Sequence, residues 1–214
     1  MTCQNCQKEI KDTVFQFNHI VDGITAKFIQ KYTDLDSESY CKKCSETIIP
    51  EAKRNFFTLK NEAESYIKNH IAIIPIITLH SPKDWDYTTL EIVSGQSVSG
   101  TGLISEIASN WTDFFGMQSG SFNKKLKEGE DLCKAQLRIQ TLNLGGNAII
   151  GTDIDYSEAG GGKGMLMVCM AGTAIKIRNL DSLKIDRDIL NNLQVHSQTL
   201  LECEAFERNR DLNI

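Results

Sequence analysis

Residues 123–144 read NKKLKEGEDLCKAQLRIQTLNL, and this stretch decides the fold. When its residues are placed about 100° apart, as in an α-helix, the apolar side chains fall on two nearly opposite faces. One face carries Leu126, Cys133, Leu137 and Leu144, and the other carries Leu132, Ala135, Ile139 and Leu142. A surface helix needs only one apolar face. We therefore expect one face to pack on a sheet and the other on the C-terminal helix or a neighbouring subunit.

Three segments around this helix have the pattern of β-strands. Residues 90–98 precede it, and residues 148–156 and 165–177 follow the Gly-Gly pair that ends it. The Gly-rich residues 157–164 favour a hairpin between the last two strands, and the β-branched residues 71–77 are a shorter fourth candidate. This order predicts an α+β fold of the βαββ type, in which one helix crosses a small antiparallel sheet.

The predicted sheet has too few elements around it to cover both of its faces. Three or four strands with one crossing helix leave one face without a second layer. We therefore expect a homo-oligomer, in which another copy of the chain covers the free face. Cover by other parts of the same chain is the alternative.

Helices are predicted on both sides of this domain. Residues 51–70 carry one apolar stripe after Pro50, which is tolerated in a first helical turn. Residues 181–207 carry another stripe, with Asp181 or Ser182 as the N-cap. The predicted organisation is a cysteine-containing module (1–50), a connecting helix (51–70), the main domain (71–180), and a C-terminal helix with its tail (181–214).

Charge and hydropathy exclude several classes of protein. The 214 residues carry 23 basic and 28 acidic side chains, a net charge of -5, which disfavours binding to nucleic acid or an anionic membrane. The most apolar run, residues 71–79, is interrupted by Pro75 and is far shorter than the roughly 20 residues of a membrane span. The N-terminus has no apolar signal region, and the seven cysteines are an odd number, so we expect a reduced, cytoplasmic protein without a disulfide framework.

Two matched cysteine pairs predict a metal centre. The pairs are Cys3-x-x-Cys6 and Cys41-x-x-Cys44, and each spacing lets a tight turn aim two sulfurs at one ion. Four thiolates favour tetrahedral Zn²⁺, and a site without an open position is structural rather than catalytic. Iron in the same site remains an alternative. A redox pair is disfavoured because no thioredoxin-like βαβ unit is nearby, and His19 is favoured as a structural residue over a replacement ligand.

The cysteine-containing module resembles the small cytosolic zinc-ribbon modules. The resemblance lies in residues 2–10, TCQNCQKEI, and residues 40–44, YCKKC. The 34 residues between the two pairs exceed the roughly 15–20 of the common pattern. Nucleic-acid recognition by the module is disfavoured, because acidic side chains balance its lysines.

The main domain resembles the YbjQ-like family, which carries the label "putative heavy-metal-binding". The resemblance lies in residues 90–101, LEIVSGQSVSGT, residues 116–122, GMQSGSF, residues 144–156, LGGNAIIGTDIDY, and the two halves of the last strand, 165–168 and 171–174. It covers about residues 71–180. It implies a small α+β subunit assembled into a ring, a homopentamer, with no established reaction.

Other motifs of the main domain do not predict chemistry. Residues 160–164 have Gly164 after Lys163, where a P-loop needs Ser or Thr, and residues 100–102 lack the rest of a dinucleotide fingerprint. Cys133 and Cys169 occupy apolar positions, and Asp153 and Asp155 share one strand face. No catalytic residue is therefore predicted.

The leading hypothesis for the function of the whole chain is a scaffold or a ligand- or partner-binding module. The alternatives are metal handling, or an enzyme or carrier with Asp153, Asp155 and the 100–102 turn at subunit interfaces.

Overall fold

The computed structural model describes residues 1–10, 18–98, 122–159, 165–180 and 185–208. The chain divides into two compact units, one formed by Met1–Glu64 with Thr199–Ile214 and the other by Ser65–Gln198. The elements are α1 (Gly23–Tyr32), α2 (Lys42–His70), β1 (Tyr87–Val98), α3 (Phe122–Asn143), β2 (Ala148–Ala159), β3 (Met165–Ile177) and α4 (Arg187–Glu207). The four-part organisation read from the sequence stays a prediction.

The second unit is built on an open three-stranded antiparallel sheet. Its strand order is β1-β3-β2, with β3 pairing to both neighbours. Helix α3 packs on one face of this sheet, where Cys133 and Leu137 join Val93, Val168 and Met170 in a buried cluster. The predicted α+β fold with a crossing helix is therefore confirmed, and the three predicted strands and the helix are present.

Both apolar faces of α3 are buried within the single chain. The face opposite the sheet consists of Leu132, Ala135, Ile139 and Leu142, and none of these is more than 8% exposed. Helix α3 also contacts a 3-10 turn at Ile71–Ile73. Cover of this face inside the chain, one of the two predicted solutions, is the one observed, so the second face of the helix gives no support to oligomer formation.

The strand predicted at residues 71–77 is wrong. Ile71–Ile73 form the 3-10 turn, and only Ile76 makes a parallel bridge, to Ile149. The Ile77 amide donates to the Ile149 carbonyl, and the Ile149 amide donates to the Pro75 carbonyl, both at 2.9 Å. Because Pro75 has no amide hydrogen, it accepts from β2 but cannot donate back. This segment consequently covers a part of the β2 edge without forming a full strand.

Gly95 permits the close approach of α3 to β1. A Cβ atom on this residue would lie 2.8 Å from the Cys133 carbonyl oxygen and 2.8 Å from the Gln136 side-chain oxygen. Such a distance is shorter than van der Waals contact, so a side chain here would push the helix away from the strand. The absence of a side chain is thus what lets the helix backbone rest against this strand.

Two glutamines of α3 occupy the hydrogen-bonding edge of β1. The Gln140 amide accepts from the Ser94 N–H (3.2 Å) and donates to the Ser94 carbonyl (2.6 Å). Gln136 does the same for Gln96, at 2.8 and 3.4 Å. Each side-chain amide therefore takes the place of a peptide group of a neighbouring strand. This arrangement blocks strand addition at that part of the edge.

The sheet face opposite α3 is covered at one end only. There, Ala148, Ile150, Ile175 and Ile177 are buried with Trp85, Tyr87 and Leu180. Towards the other end the face carries Ile92, Ser94 and Gln96 of β1, Cys169 and Ala171 of β3, and Asp153 and Asp155 of β2. We call these seven residues the open face. Ile92 is 72% exposed there.

Helix α2 begins earlier than the sequence predicts. The sequence predicts a start at residue 51, after Pro50, but the helix starts at Lys42 and contains Pro50. Proline removes one helical hydrogen bond, yet Ile48 and Ile49 pack on the cluster of Ala26, Ile29 and Tyr40. Tertiary packing of the first two turns therefore outweighs the local preference for a break.

Helix α4 is confirmed, with a different N-terminal cap. The predicted caps, Asp181 and Ser182, lie outside the described residues. The Asp186 carboxylate accepts hydrogen bonds from the amides of Asp188 (2.9 Å) and Ile189 (3.2 Å), as an N-cap does. No helix in the described parts of the chain is long and apolar enough to span a membrane.

Candidate metal centre

The first cysteine pair lies on a short hairpin formed by residues 1–10. Thr2 and Glu9 form an antiparallel bridge, and the Cys3 amide donates to the Lys8 carbonyl at 3.0 Å. Gln7 reverses the chain with a φ of 57°, in the left-handed region, and its amide donates to the Cys3 carbonyl at 2.7 Å. The turn therefore brings Cys3 and Cys6 to the same side of the hairpin.

The second cysteine pair lies at the start of α2. Cys41 immediately precedes the helix and forms an antiparallel bridge with Ile20, and Cys44 belongs to the first helical turn. The Cys41 amide donates to the Cys3 sulfur at 3.2 Å. One pair thus comes from a hairpin and the other from a helix N-terminus. The resemblance to a zinc ribbon stays a prediction.

Hydrogen bonds from neighbouring residues fix the segments that carry the two pairs. The Lys43 amide donates to the Asn18 side-chain oxygen at 3.3 Å, and the Lys42 amide donates to the His19 carbonyl at 2.9 Å. The Gln4 side-chain oxygen accepts from the Glu38 amide at 2.9 Å. His19 thus contributes its backbone carbonyl here, and the group of possible ligand residues at this place does not include it.

The four predicted ligands converge on one point. The sulfurs of Cys3, Cys6, Cys41 and Cys44 all lie within 4.8 Å of one another. A tetrahedral zinc ion with Zn–S bonds of about 2.3 Å requires sulfurs roughly 3.8 Å apart. Small side-chain movements close this difference. Cys3 and Cys41 are buried, whereas Cys6 and Cys44 are partly exposed.

Hydrogen bonds favour the thiolate form at two of the four sulfurs. Burial would raise the pKa of the Cys41 thiol, but the Cys44 amide and the Asn18 side chain hydrogen-bond to it and bring its pKa down to about 7. Burial likewise opposes ionisation of Cys3, and bonds from the amides of Cys6 and Cys41 lower its pKa. A helix N-terminus adds to this effect for Cys41.

Cys44 holds its proton more strongly than a free cysteine. A hydrogen bond from Asn5 would lower the pKa of Cys44, but burial and the neighbouring thiols of Cys6 and Cys41 raise it to about 12. Four thiolates this close repel one another unless a cation lies between them. The donor set is soft and fully sulfur, which fits zinc or iron. Such an ion would be held by all four cysteines, leaving no position for a substrate.

Comparison with known proteins places the second unit in a family. The family model YbjQ_1, described as "Putative heavy-metal-binding", matches residues 75–178. A UPF0145 protein of Acetivibrio thermocellus is 41% identical over 86 residues, which are 40% of this chain and 81% of that relative. A UPF0145 protein of Clostridium kluyveri is 40% identical over the same shares. The chain belongs to the YbjQ family.

A solved structure also matches, with weaker similarity. It is the crystal structure of a protein of unknown function from Pediococcus pentosaceus, assigned to the DUF74 family. The identity is 22%, the match covers 48% of this chain and 95% of that chain, and the TM-score is 0.31.

The cysteine cluster lies outside the part of the chain that matches the YbjQ family. Within residues 75–178, the portion described by the structure contains no group of three or more His, Cys, Asp or Glu side chains placed to hold a metal. Cys133 is buried, with its sulfur donating to the Val168 carbonyl at 3.4 Å, and burial raises its pKa to about 12. The described residues therefore support metal binding in the N-terminal module only.

The structure describes two of the other residues considered for chemistry, Asp153 and Asp155. The Asp153 carboxylate accepts from the Ile154 amide at 3.0 Å. Asp153 and Asp155 are both exposed on the open face. The Gly-rich residues 100–102 and 160–164 lie outside the described residues.

Proposed function

We propose that this protein is a non-enzymatic, ring-forming scaffold or partner-binding protein that carries a structural zinc module. The convergence of four cysteine sulfurs within 4.8 Å supports the metal half of this proposal. Zinc is the preferred ion because a closed tetrathiolate site suits it and because it needs no redox partner. Free thiols persist in a reducing compartment, so the proposal places the protein in the cytoplasm.

The open face supports the assembly half. A three-stranded sheet with a helix on one face needs a second layer to cover its other face. On that other face, most of the Ile92 side chain is in solvent in the single chain. The edge of β1 at Ser94 and Gln96 is already occupied by glutamine side chains. We therefore propose contact through the face of the sheet, in a homopentameric ring. Several copies of the zinc module on one ring would bind a partner protein with avidity.

Metal analysis of the purified full-length chain tests the first half. We expect one zinc ion per chain and no iron. Denaturation in the presence of a metallochromic dye should release that zinc quantitatively. A chain that is free of metal after purification from zinc-supplemented cells would contradict the structural zinc site.

Light scattering combined with a charge substitution tests the second half. We expect a pentamer for the unmodified chain and smaller species for Ile92→Lys, because a buried lysine without a partner carries a large desolvation cost. Leu79→Lys is the matched control, since Leu79 is 64% exposed and lies outside the open face. A monomer in dilute buffer, or equal assembly of both variants, would refute contact through this face.

Metal handling is a second candidate, favoured by the partial exposure of Cys6 and Cys44. A site that exchanges ions should lose zinc within minutes to a moderate chelator at neutral pH. A structural site should retain it until the module unfolds. The exchange rate therefore separates the two candidates.

A further inference from the structure

The four cysteines of the centre differ in their burial. Cys3 and Cys41 are buried, whereas Cys6 and Cys44 are partly exposed. One partly exposed cysteine thus comes from the hairpin and the other from the start of α2. These two sulfurs lie within 4.8 Å of each other, as all four do. An oxidant arriving from solvent reaches this pair first.

We propose that the centre is a peroxide-sensitive switch, in which oxidation links Cys6 to Cys44 and releases the metal. This inference rests on the proposed zinc site. A disulfide needs its two sulfurs about 2.0 Å apart. The Cys6 and Cys44 sulfurs lie no more than 4.8 Å apart, so they have to approach each other by less than 3 Å. The buried Cys3 sulfur is instead held by the Cys41 amide at 3.2 Å.

The reaction consumes one hydroperoxide per chain. One exposed thiolate attacks a peroxide oxygen, the O–O bond breaks, and a sulfenic acid and water form after one proton is taken up. The second exposed thiolate attacks that sulfenic sulfur, the S–O bond breaks, and the oxygen leaves as a second water with another proton. The two sulfurs lose two electrons in total, and hydrogen peroxide accepts them.

Zinc leaves because half of its ligands are consumed. Only Cys3 and Cys41 would remain as thiolates, and two ligands do not complete a tetrahedral site. The new disulfide would still join the hairpin to the start of α2, so the two cysteine pairs stay close together. Reduction by a small thiol should then restore the four ligands and allow zinc to bind again.

Tryptic peptide mapping can identify the disulfide, because the lysines separate the cysteines. Cleavage after Lys8 releases peptide 1–8, which contains Cys3 and Cys6. Cleavage after Lys31 and Lys42 releases peptide 32–42, which contains Cys41. Cleavage after Lys43 and Lys53 releases peptide 44–53, which contains Cys44.

The experiment treats the zinc-loaded full chain with one equivalent of hydrogen peroxide. Zinc release is followed with a metallochromic dye, and the peptides are analysed by mass spectrometry. Cys169→Ser removes a partly exposed thiol outside the metal centre and is the matched control for zinc release and disulfide linkage. Assembly is not compared, because Cys169 lies on the open face.

We expect release of about one zinc per chain, a link between peptides 1–8 and 44–53 through Cys6, and the same result for the control. Retained zinc would overturn the switch and leave the zinc site standing. So would a disulfide between peptides 32–42 and 44–53, or one within peptide 1–8. A chain without zinc before peroxide is added would overturn the zinc site and the switch together.

Discussion

Replacing Cys41 with serine is expected to empty the metal centre and unfold the region around it. The zinc content should fall from one ion per chain to nearly none, because a serine hydroxyl stays protonated at neutral pH and is a poor zinc ligand. Metal binding contributes on the order of 10 kcal/mol to the folding of zinc-finger-like peptides. This is comparable with the whole stability of a small domain, about 5–15 kcal/mol.

The effect should be greatest in the segments that meet at the centre. These are the hairpin of residues 1–10, the segment around Ile20 and the first turn of α2. Hydrogen exchange measured by mass spectrometry should show loss of amide protection there. The aromatic cluster of Phe28, Tyr32, Phe56 and Phe206 provides the same unit with a core of its own, so residues of α1 should lose less protection.

Cys169→Ser is the control for this substitution too, because Cys169 is a partly exposed cysteine of the other unit. It should leave the zinc content and the amide protection of residues 1–10 unchanged. If Cys41→Ser retained one zinc ion per chain and the protection of residues 1–10, the tetrathiolate site would be disproved.

Truncation of Leu137 to alanine should destabilise the second unit by about 2–5 kcal/mol, the usual range for a fully buried leucine. Leu137 is completely buried between α3 and the sheet, in contact with the cluster that contains Val93 and Val168. The substitution removes apolar contacts and leaves a cavity that the closely packed helix and strand cannot fill, since Gly95 already brings them together. Urea unfolding followed by the circular dichroism of the full chain measures the loss.

Leu144→Ala provides a matched comparison on the same predicted apolar stripe. Leu144 follows the end of α3 and is 45% exposed, so its truncation should change the free energy of unfolding by about 0.5 kcal/mol or less. Equal losses for the two variants would mean that α3 does not pack on the sheet in the observed register.

Local patterns were sufficient to predict most of the second unit. The helix at residues 123–144 and the strands at 90–98, 148–156 and 165–177 agree with the structure to within three residues at every end. These segments are long and strongly patterned, so neighbouring residues alone specify them.

Helix α1 was not predicted from the sequence. The Asp22 side chain caps this helix by accepting from the amides of Ile24 and Thr25. An aspartate before an apolar stripe is a recognisable start signal for a helix.

Packing overruled local preference in other places. Pro50 favours a helix start, but Ile48 and Ile49 extend α2 before it by burying their side chains. The β-branched residues 71–77 favour a strand, but β2 offers only part of its edge for pairing. In both cases a distant segment supplies the stabilising contacts, and no window of the sequence contains them.

The sequence by itself predicted the candidate ligands, Cys3, Cys6, Cys41 and Cys44, and the order of helix and strands in the second unit. Spacing and periodicity are properties of neighbouring residues, so they can be read along the chain. Only the tertiary structure decided that the second face of α3 is covered within one chain, that two glutamines occupy the β1 edge, and which two of the four cysteines are partly exposed. Burial and exposure depend on segments far apart in sequence, and they become defined only when those segments pack.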